Sequence, residues 1–506
     1  MRRLRVVIVV AVIAVAVGLQ ACRQPTEPAP TEPGIVLVTI GDSITMGIQD
    51  AGLSYAFQRS NYPYLIAQQL GIASSFKQPY LKTDSPGIAA PPYKEPLKLE
   101  NGEITAVLWE DETPEQIEAY VIEQIAPSTL LAGGAFHNLG VSGARLFDVR
   151  NTTHPENSED GDNVFFTLVL QNGDSGTRTM LGQAKARQPD VAILWIGSND
   201  VLHVALDGAG VDGSRLEPGN NPPTPVVDFA TEYGALLADL AGAVENVLVA
   251  TIPNYLPFAH ALDGIYVTNT DQLLGSFASP ALCVFDPMTF EPVNFGTEGS
   301  PLYLPLFLEE PDALHLLFTG AIAYMDLLEM GERAGLPNAV VLGNTPYELT
   351  SQEIDDVLSV YADLEWEPSE AWLPGETTLT QSEADQLRDY IDAYNVEITT
   401  AAALQGVPVV DMGAAWWSEA AAEGQSVYTL KHAIQDPDKT AFSLDGVHPG
   451  NLGQALSANA FIDAMNDNFG MSIPKLNVAN YDGQYRGVKI SPRALGALTE
   501  VRSQWQ

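Results

Sequence analysis

Along the chain, short uncharged runs rich in β-branched residues recur. Each stops at a glycine, a proline or a small polar residue, and most are followed by an amphipathic stretch. Ile35 to Ile40 is the first such strand, ending at Gly41-Asp42-Ser43-Ile44. Ser60 to Gly71 then offers an N-cap serine, an amphipathic run and a terminating glycine, which predicts a helix. Phe136 to Gly140 is a second strand end, running through the glycine-punctuated turn Gly140-Val141-Ser142-Gly143 into a helix. Thr177 to Arg187 is helical in pattern, Asp190 to Ile196 is a buried strand ending in Gly197-Ser198-Asn199-Asp200, and Asp228 to Ala243 is another amphipathic helix. Val247 to Ile252 is the next strand, stopped by Pro253. Strand and helix alternating in this rhythm predict an α/β fold with a doubly wound parallel sheet.

The rhythm lapses twice. Residues 72–130 are rich in Pro, Tyr and Lys and read as an insertion with a hairpin around Asn101-Gly102; about 254–374 is Pro-rich and irregular and reads as a second, larger one. Residues 151–176 form a polar loop, in which Phe165 to Leu170 could be a strand. Order returns at Thr380, where a capping-box pattern with Glu383 opens a long helix to about Leu404, ended by Gly406. Val407 to Asp411 is a further strand, and Leu452 to Asn468 a closing helix after Asp445-Gly446-Val447-His448. The expected organisation is therefore a leader over 1–21, a tether over 22–34, one domain over 35–470 and an irregular tail over 471–506.

Charge changes this picture little. With 64 acidic against 24 basic side chains the formal net charge is −40, a surface that repels nucleic acid and is soluble through self-repulsion. The N-terminus says more. Arg2, Arg3 and Arg5 precede an apolar run from Val6 to Leu19 and then Leu19-Gln20-Ala21-Cys22, the order of an export signal. A cysteine placed so resembles a bacterial lipobox, which implies lipidation of Cys22 and a lipoprotein held at the cell envelope by its lipid anchor alone. The Pro-rich segment after it would be the tether. The only other cysteine, Cys283, reads as a buried apolar residue.

Candidate chemistry sits at the strand ends, where open α/β sheets collect their ligands. Asp445 and His448 are three apart across a turn, so the carboxylate can hold one ring nitrogen while the other faces a nucleophile. Ser43, Asp445 and His448 thus supply nucleophile, orienter and base. The backbone N–H groups of Ser43 and Gly143 and the side-chain amide of Asn199 are candidate donors to an oxyanion. Taken singly, each has a plain structural reading: Ser43 a helix cap, Asp445 with His448 a turn clamp, Asn199 a turn residue, Gly143 a positive-φ turn. No G-x-S-x-G elbow occurs, and none of the seven histidines sits in a metal-binding pair, so neither a metal nor another cofactor is expected.

Together, Gly41-Asp42-Ser43-Ile44, Gly143 after Gly140, Gly197-Ser198-Asn199-Asp200 and Asp445-Gly446-Val447-His448 resemble four ordered blocks of the SGNH (GDSL) hydrolase family. The text around Ser60 to Gln69 and Phe442 to Pro449 further resembles an exported lipoprotein subgroup of it. The resemblance implies a flavodoxin-like three-layer α/β/α sandwich with esterase or lipase activity. It makes Ser43 the nucleophile, His448 the base, Asp445 its orienter, and Ser43, Gly143 and Asn199 the oxyanion hole. The expected partner is a small acyl ester, of a lipid or an acetylated carbohydrate, met by a monomer. The alternative left open is a catalytically silent surface lipoprotein that uses the scaffold to bind glycans or lipids.

Overall fold

The computed structural model describes residues 34–89, 93–100, 103–105, 107–109, 112–127, 136–161, 163–170, 179–206, 222–253, 307–308, 313–316, 372–373, 378–415, 441–445, 447–481 and 484. The apolar runs form a five-stranded sheet: β1 (Leu37–Gly41), β2 (Asn138–Gly140), β3 (Val191–Trp195), β4 (Asn246–Ala250) and β5 (Val409–Val410). Their order is β5-β4-β3-β1-β2, and every pairing is parallel. That is the 2-1-3-4-5 order of a flavodoxin-like doubly wound fold. In such sheets both faces are covered, which is why these strands read as continuous apolar runs rather than alternating ones. The side chains of β1 and β3 are buried throughout.

Alternation along the strands divides the core into two layers. On one face Val38, Ile40, Ala192, Leu194, Val247 and Val249 join a cluster with Phe229, Tyr233, Leu237, Tyr394 and Ile398. Those last five lie on helices α6 (Val226–Ala241) and α7 (Gln381–Gln405), whose Phe229 and Tyr394 rings stack at 4.0 Å between centroids. On the other face Trp195 meets Tyr62 of helix α2 (Tyr62–Gln69) at 5.7 Å and Phe461 of helix α8 (Asn451–Phe469) at 5.9 Å. Shorter helices include α1 (Ser43–Met46), α3 (Leu146–Asn151), α4 (Met180–Ala186) and α5 (Asn199–Leu206); α1, α3 and α5 follow the ends of β1, β2 and β3.

Two local expectations are corrected. The cap of α2 is Asn61 rather than Ser60: its side chain accepts the Tyr64 N–H, while the Ser60 hydroxyl bonds back to the preceding turn. Phe165–Leu170 is a helix and not a strand. Its start is fixed by Asn163, whose side-chain oxygen accepts the Phe165 N–H at 3.0 Å.

The strands Lys98–Glu100 and Glu103–Thr105 pair antiparallel either side of Asn101-Gly102. Nearby, the Lys94 ammonium lies 4.8 Å from the Trp109 ring centre and 5.0 Å from that of Tyr120. Beyond α8 the chain folds back: Asn459 exchanges two hydrogen bonds with Leu476, and Asn466 two with Ile473. No described helix is long and apolar enough to cross a membrane. Cys22, Ser175, Cys283 and Trp416-Trp417 lie outside the described residues, as does the side chain of His203 and most of 254–374.

Candidate active site

The β1 run ends where a side chain becomes impossible. A Cβ on Gly41 would collide with the Thr45 side chain and the Trp195 carbonyl oxygen, and one on Gly140 would collide with the backbone of Thr45 and Met46. These two glycines face each other across the β1–β2 register, so α1 descends directly onto the sheet edge. Asp42 caps it, accepting the Ile44 N–H at 3.0 Å. Ser43 is thereby presented at the first helical position, 6% exposed, with its own N–H at the helix start.

Asp42 is buried, and its second carboxylate oxygen has no partner of good hydrogen-bond geometry among the described residues. Desolvation pushes its pKa up to about 6, against the opposing pull of the Ile44 N–H, the charge of His448 and the nearby Ser198 hydroxyl.

Asp445 and His448 lie on a loop closed at its base by paired main-chain bonds, Ser443 N–H to the His448 carbonyl and Gly450 N–H to that of Ala441. Within it Asp445 Oδ2 and His448 Nδ1 are 2.9 Å apart. A carboxylate facing Nδ1 puts the ring proton there and leaves Nε2 as the acceptor. Asp445 Oδ1 accepts the N–H groups of Val447 and His448, both at 2.9 Å, and Oδ2 also accepts that of Ala51 at 2.7 Å. Burial alone would raise its pKa; the charge of His448 and these bonds outweigh that and lower it, so the carboxylate stays ionised.

Gly143 stands just past β2 with φ +76°, a conformation that favours glycine, and a Cβ there would lie 3.0 Å from the Asn163 amide nitrogen. Asn163 in turn donates to the Ser142 carbonyl at 2.7 Å. Asn199, at the start of α5, donates its side-chain amide to the Ala144 carbonyl at 2.9 Å, which holds it against the Gly143 turn with one of its two N–H bonds. The structure therefore joins Asp445 to His448 and Asn199 to the Gly143 turn. Among the described residues the Ser43 hydroxyl makes no hydrogen bond to His448; in unliganded sites such contacts are often long and tighten when substrate binds.

Several supporting residues carry no assignment from the sequence. Asp200, buried with its pKa raised by desolvation to about 6, accepts the Leu146 N–H and the Thr224 hydroxyl, tying the β2 turn to α5. Gln454 on α8 accepts the Tyr62 N–H at 2.8 Å and donates to the Ile44 carbonyl at 3.2 Å, locking the helix after His448 to the helix that carries Ser43. Arg145 forks onto Asp160 through Nη2 at 2.7 Å and Nε at 3.0 Å. A lone buried glutamine or arginine carries no signal of this in its neighbours along the chain.

A cavity of about 260 Å³ lies at the Asp200 side, lined by Leu146, Glu159, Asp200, Thr224, Asp228 and Glu232 among others; Ser43 and His448 do not line it. No group of three or more His, Cys, Asp or Glu among the described residues is placed to hold a metal ion.

Residues 37–285 match the family model of the GDSL-like lipase/acylhydrolases, a span that holds Ser43, Gly143 and Asn199 and ends before Asp445 and His448. Similar solved structures include an α/β hydrolase from the metagenome of Lake Arreo, Spain, at 14% identity, with 86% of this chain and 95% of that one covered and a TM-score of 0.30. A GDSL-like lipase from Parabacteroides merdae aligns at 11% identity over 86% and 97% of the two chains with a TM-score of 0.29. A single-residue variant of an acetyl xylan esterase from Geobacillus stearothermophilus aligns at 12% over 85% and 94%, also at 0.29. No curated protein matches the chain.

Proposed function

We propose that this chain, whose residues 37–285 match the GDSL-like lipase/acylhydrolase model, cleaves carboxylic esters through an acyl-enzyme on Ser43. His448 Nε2 takes the Ser43 proton as the hydroxyl attacks the ester carbonyl, and the bond to the alcohol breaks as His448 returns that proton to the leaving oxygen. Water then attacks the acyl-serine by the same route. The oxyanion formed in each step is met by the N–H groups of Ser43 and Gly143 and the amide of Asn199. The observation that carries this reading is the Asp445–His448 hydrogen bond of 2.9 Å, because it sets the tautomer a general base needs.

The substrate proposed is a small acyl ester, of a lipid or an acetylated carbohydrate, bound by a monomer. We place the enzyme in the exported lipoprotein subgroup: Cys22 would carry the lipid that anchors it to the cell envelope, a reading supported by the basic, apolar and small-residue order of the N-terminus. Replacing Cys22 with alanine would then release the protein from membranes and abolish incorporation of labelled fatty acid.

The test of the mechanism is hydrolysis of p-nitrophenyl acetate, butyrate and laurate by the wild-type chain and by Ser43→Ala. The expected outcome is Ser43-dependent release of p-nitrophenol. Equal rates for the two proteins would sink the serine mechanism, and no activity on these esters or on acetylated xylan would favour the binding scaffold.

A further inference from the structure

Asp50 and Ala51 are consecutive non-glycine residues at φ +54° and +60°. Outside glycine the left-handed region costs roughly 1–2 kcal/mol per residue, and it persists where the surroundings over-determine it. Here three polar groups of the turn are committed to the loop that bears Asp445 and His448. The Asp50 N–H donates to the Ser443 hydroxyl oxygen at 3.0 Å, and Asp50 Oδ1 accepts the Leu444 N–H at 2.9 Å. The Ala51 N–H donates to Asp445 Oδ2 at 2.7 Å, the same oxygen that faces His448 Nδ1.

The turn is pinned from the other side as well. The Asp50 carbonyl accepts the Leu97 N–H at 2.8 Å, and Pro96 fills the space that side chains on Gly52 and Gly87 would need. Just upstream, the N–H groups of Gly47 and Ile48 bond to the Ser43 carbonyl. A short segment therefore runs from the Ser43 helix into a strained turn that grips the Asp445 carboxylate, 394 positions beyond Ala51 in sequence.

We propose that the left-handed Asp50–Ala51 turn is a positioning element for the base, holding the Asp445–His448 loop in register with the helix that carries Ser43. This rests on the assignment of Asp445 and His448 given above. Two consecutive left-handed residues point successive N–H groups the same way, which is what a carboxylate and the hydroxyl beside it require. The turn would act through Asp445 and touch no substrate.

His448 is the reporter. The charged groups facing it are Asp445 on its own loop and Asp42 at the start of α1; Asp50 faces the loop through the Leu444 N–H. Moving Asp445 away from His448 removes the opposite charge that favours the protonated ring, so the histidine would hold its proton less tightly. The experiment is an NMR titration of the histidine rings in the full chain, with His448 assigned by His448→Gln, beside the pH profile of kcat/KM on p-nitrophenyl acetate. Asp50→Ala deletes an acceptor, Ala51→Val forces a β-branched side chain into the left-handed region, and Ser443→Ala is the mild variant that leaves the turn's own sequence intact. Ala51→Gly and Asp50→Asn preserve the turn and are the conservative rescues.

All three disruptive variants are expected to lower the His448 pKa, to move the acid limb of kcat/KM the same way, and to cut kcat on the order of 10-fold with KM little changed. The two conservative variants are expected to titrate like the wild type. Folded Asp50→Ala or Ser443→Ala protein with an unchanged His448 titration would overturn the proposal. If Ser43→Ala hydrolyses esters as fast as wild type, the serine mechanism fails, while the His448 titration still decides the role of the turn.

Discussion

Gly140→Ala isolates how tightly the nucleophile's position depends on the sheet. Gly140 has no positive φ, so alanine carries no backbone penalty there, and the whole effect is steric. The added Cβ would stand 2.3 Å from Met46 N and 2.6 Å from Thr45 C, both main-chain atoms, against 3.4 Å for ordinary contact. No side-chain rotation relieves that. Either β2 or α1 has to retreat by about 1.1 Å, and α1 is the weaker party: it is a single turn of four residues, whereas β2 is bonded into the sheet beside β1.

Ser43 lies on that turn and would move with it. Displacements near 1 Å cost on the order of 100-fold in rate, and overpacking costs about 1–3 kcal/mol of stability. The assay is kcat for p-nitrophenyl acetate together with the urea midpoint. The control is Gly71→Ala, where φ is +75° and nothing lies within 4 Å of the new Cβ. It is expected to lose roughly 1–2 kcal/mol from backbone strain with kcat intact. A Gly140→Ala enzyme with wild-type kcat would refute the claim that this contact sets the position of Ser43, whatever its stability.

Other outcomes follow from the buried polar groups. The Asp42 pKa, raised to about 6 by burial, lies above its ordinary value. The native state therefore holds that proton more tightly than the unfolded chain, and the linked stability is full below pH about 4 and lost as pH rises through about 6. The loss is roughly 3 kcal/mol by pH 7, at about 1.4 kcal/mol for each tenfold difference in proton affinity. Asp42→Asn keeps an acceptor for the Ile44 N–H and should remove that loss. Urea unfolding of the pair at pH 4.5 and pH 7 should show the variant gaining relative to wild type at the higher pH, and a constant difference would count against it. Gln454→Leu keeps the volume but strands the Tyr62 N–H and the Ile44 carbonyl, for an expected cost of about 1–3 kcal/mol and a fall in kcat. Gln454→Glu should recover only part of either, since it can accept from Tyr62 but, when ionised, cannot donate to Ile44.

What is legible in the sequence is the part of the molecule whose signals are local. Strands β1, β3 and β4 announce themselves because a buried parallel strand has no polar face to interrupt the apolar run, and the glycines that end β1 and β2 mark where α1 comes too close for a side chain. Asp445 and His448 are readable because they are three apart. Phe165–Leu170 misleads for the converse reason: six apolar residues carry no clear period, and the choice of helix is made by Asn163 capping Phe165. Ser60 yields the cap of α2 to its neighbour because Asn61 is held from both sides, donating to the Met46 carbonyl and to the Gln78 side chain while accepting from Tyr64.

The Asp50–Ala51 turn marks the limit of such reading, and the reason is physical rather than statistical. Sequence patterns report what a residue prefers, and alanine at φ +60° sits where its preference is overruled. The bonds that overrule it come from Ser443, Leu444 and Asp445 on one side and Leu97 on the other, all remote in sequence. A strained turn held by four such bonds is worth keeping only if the groups it positions have to stay put. Asp445 is such a group: its Oδ2 serves both the Ala51 N–H and His448, so an error in the turn passes straight to the imidazole. If strain at this turn were incidental, Ala51→Val would only destabilise. A change in the His448 titration with Ala51→Val separates the two explanations, because a purely structural loss does not move the pKa of a histidine in molecules that remain folded.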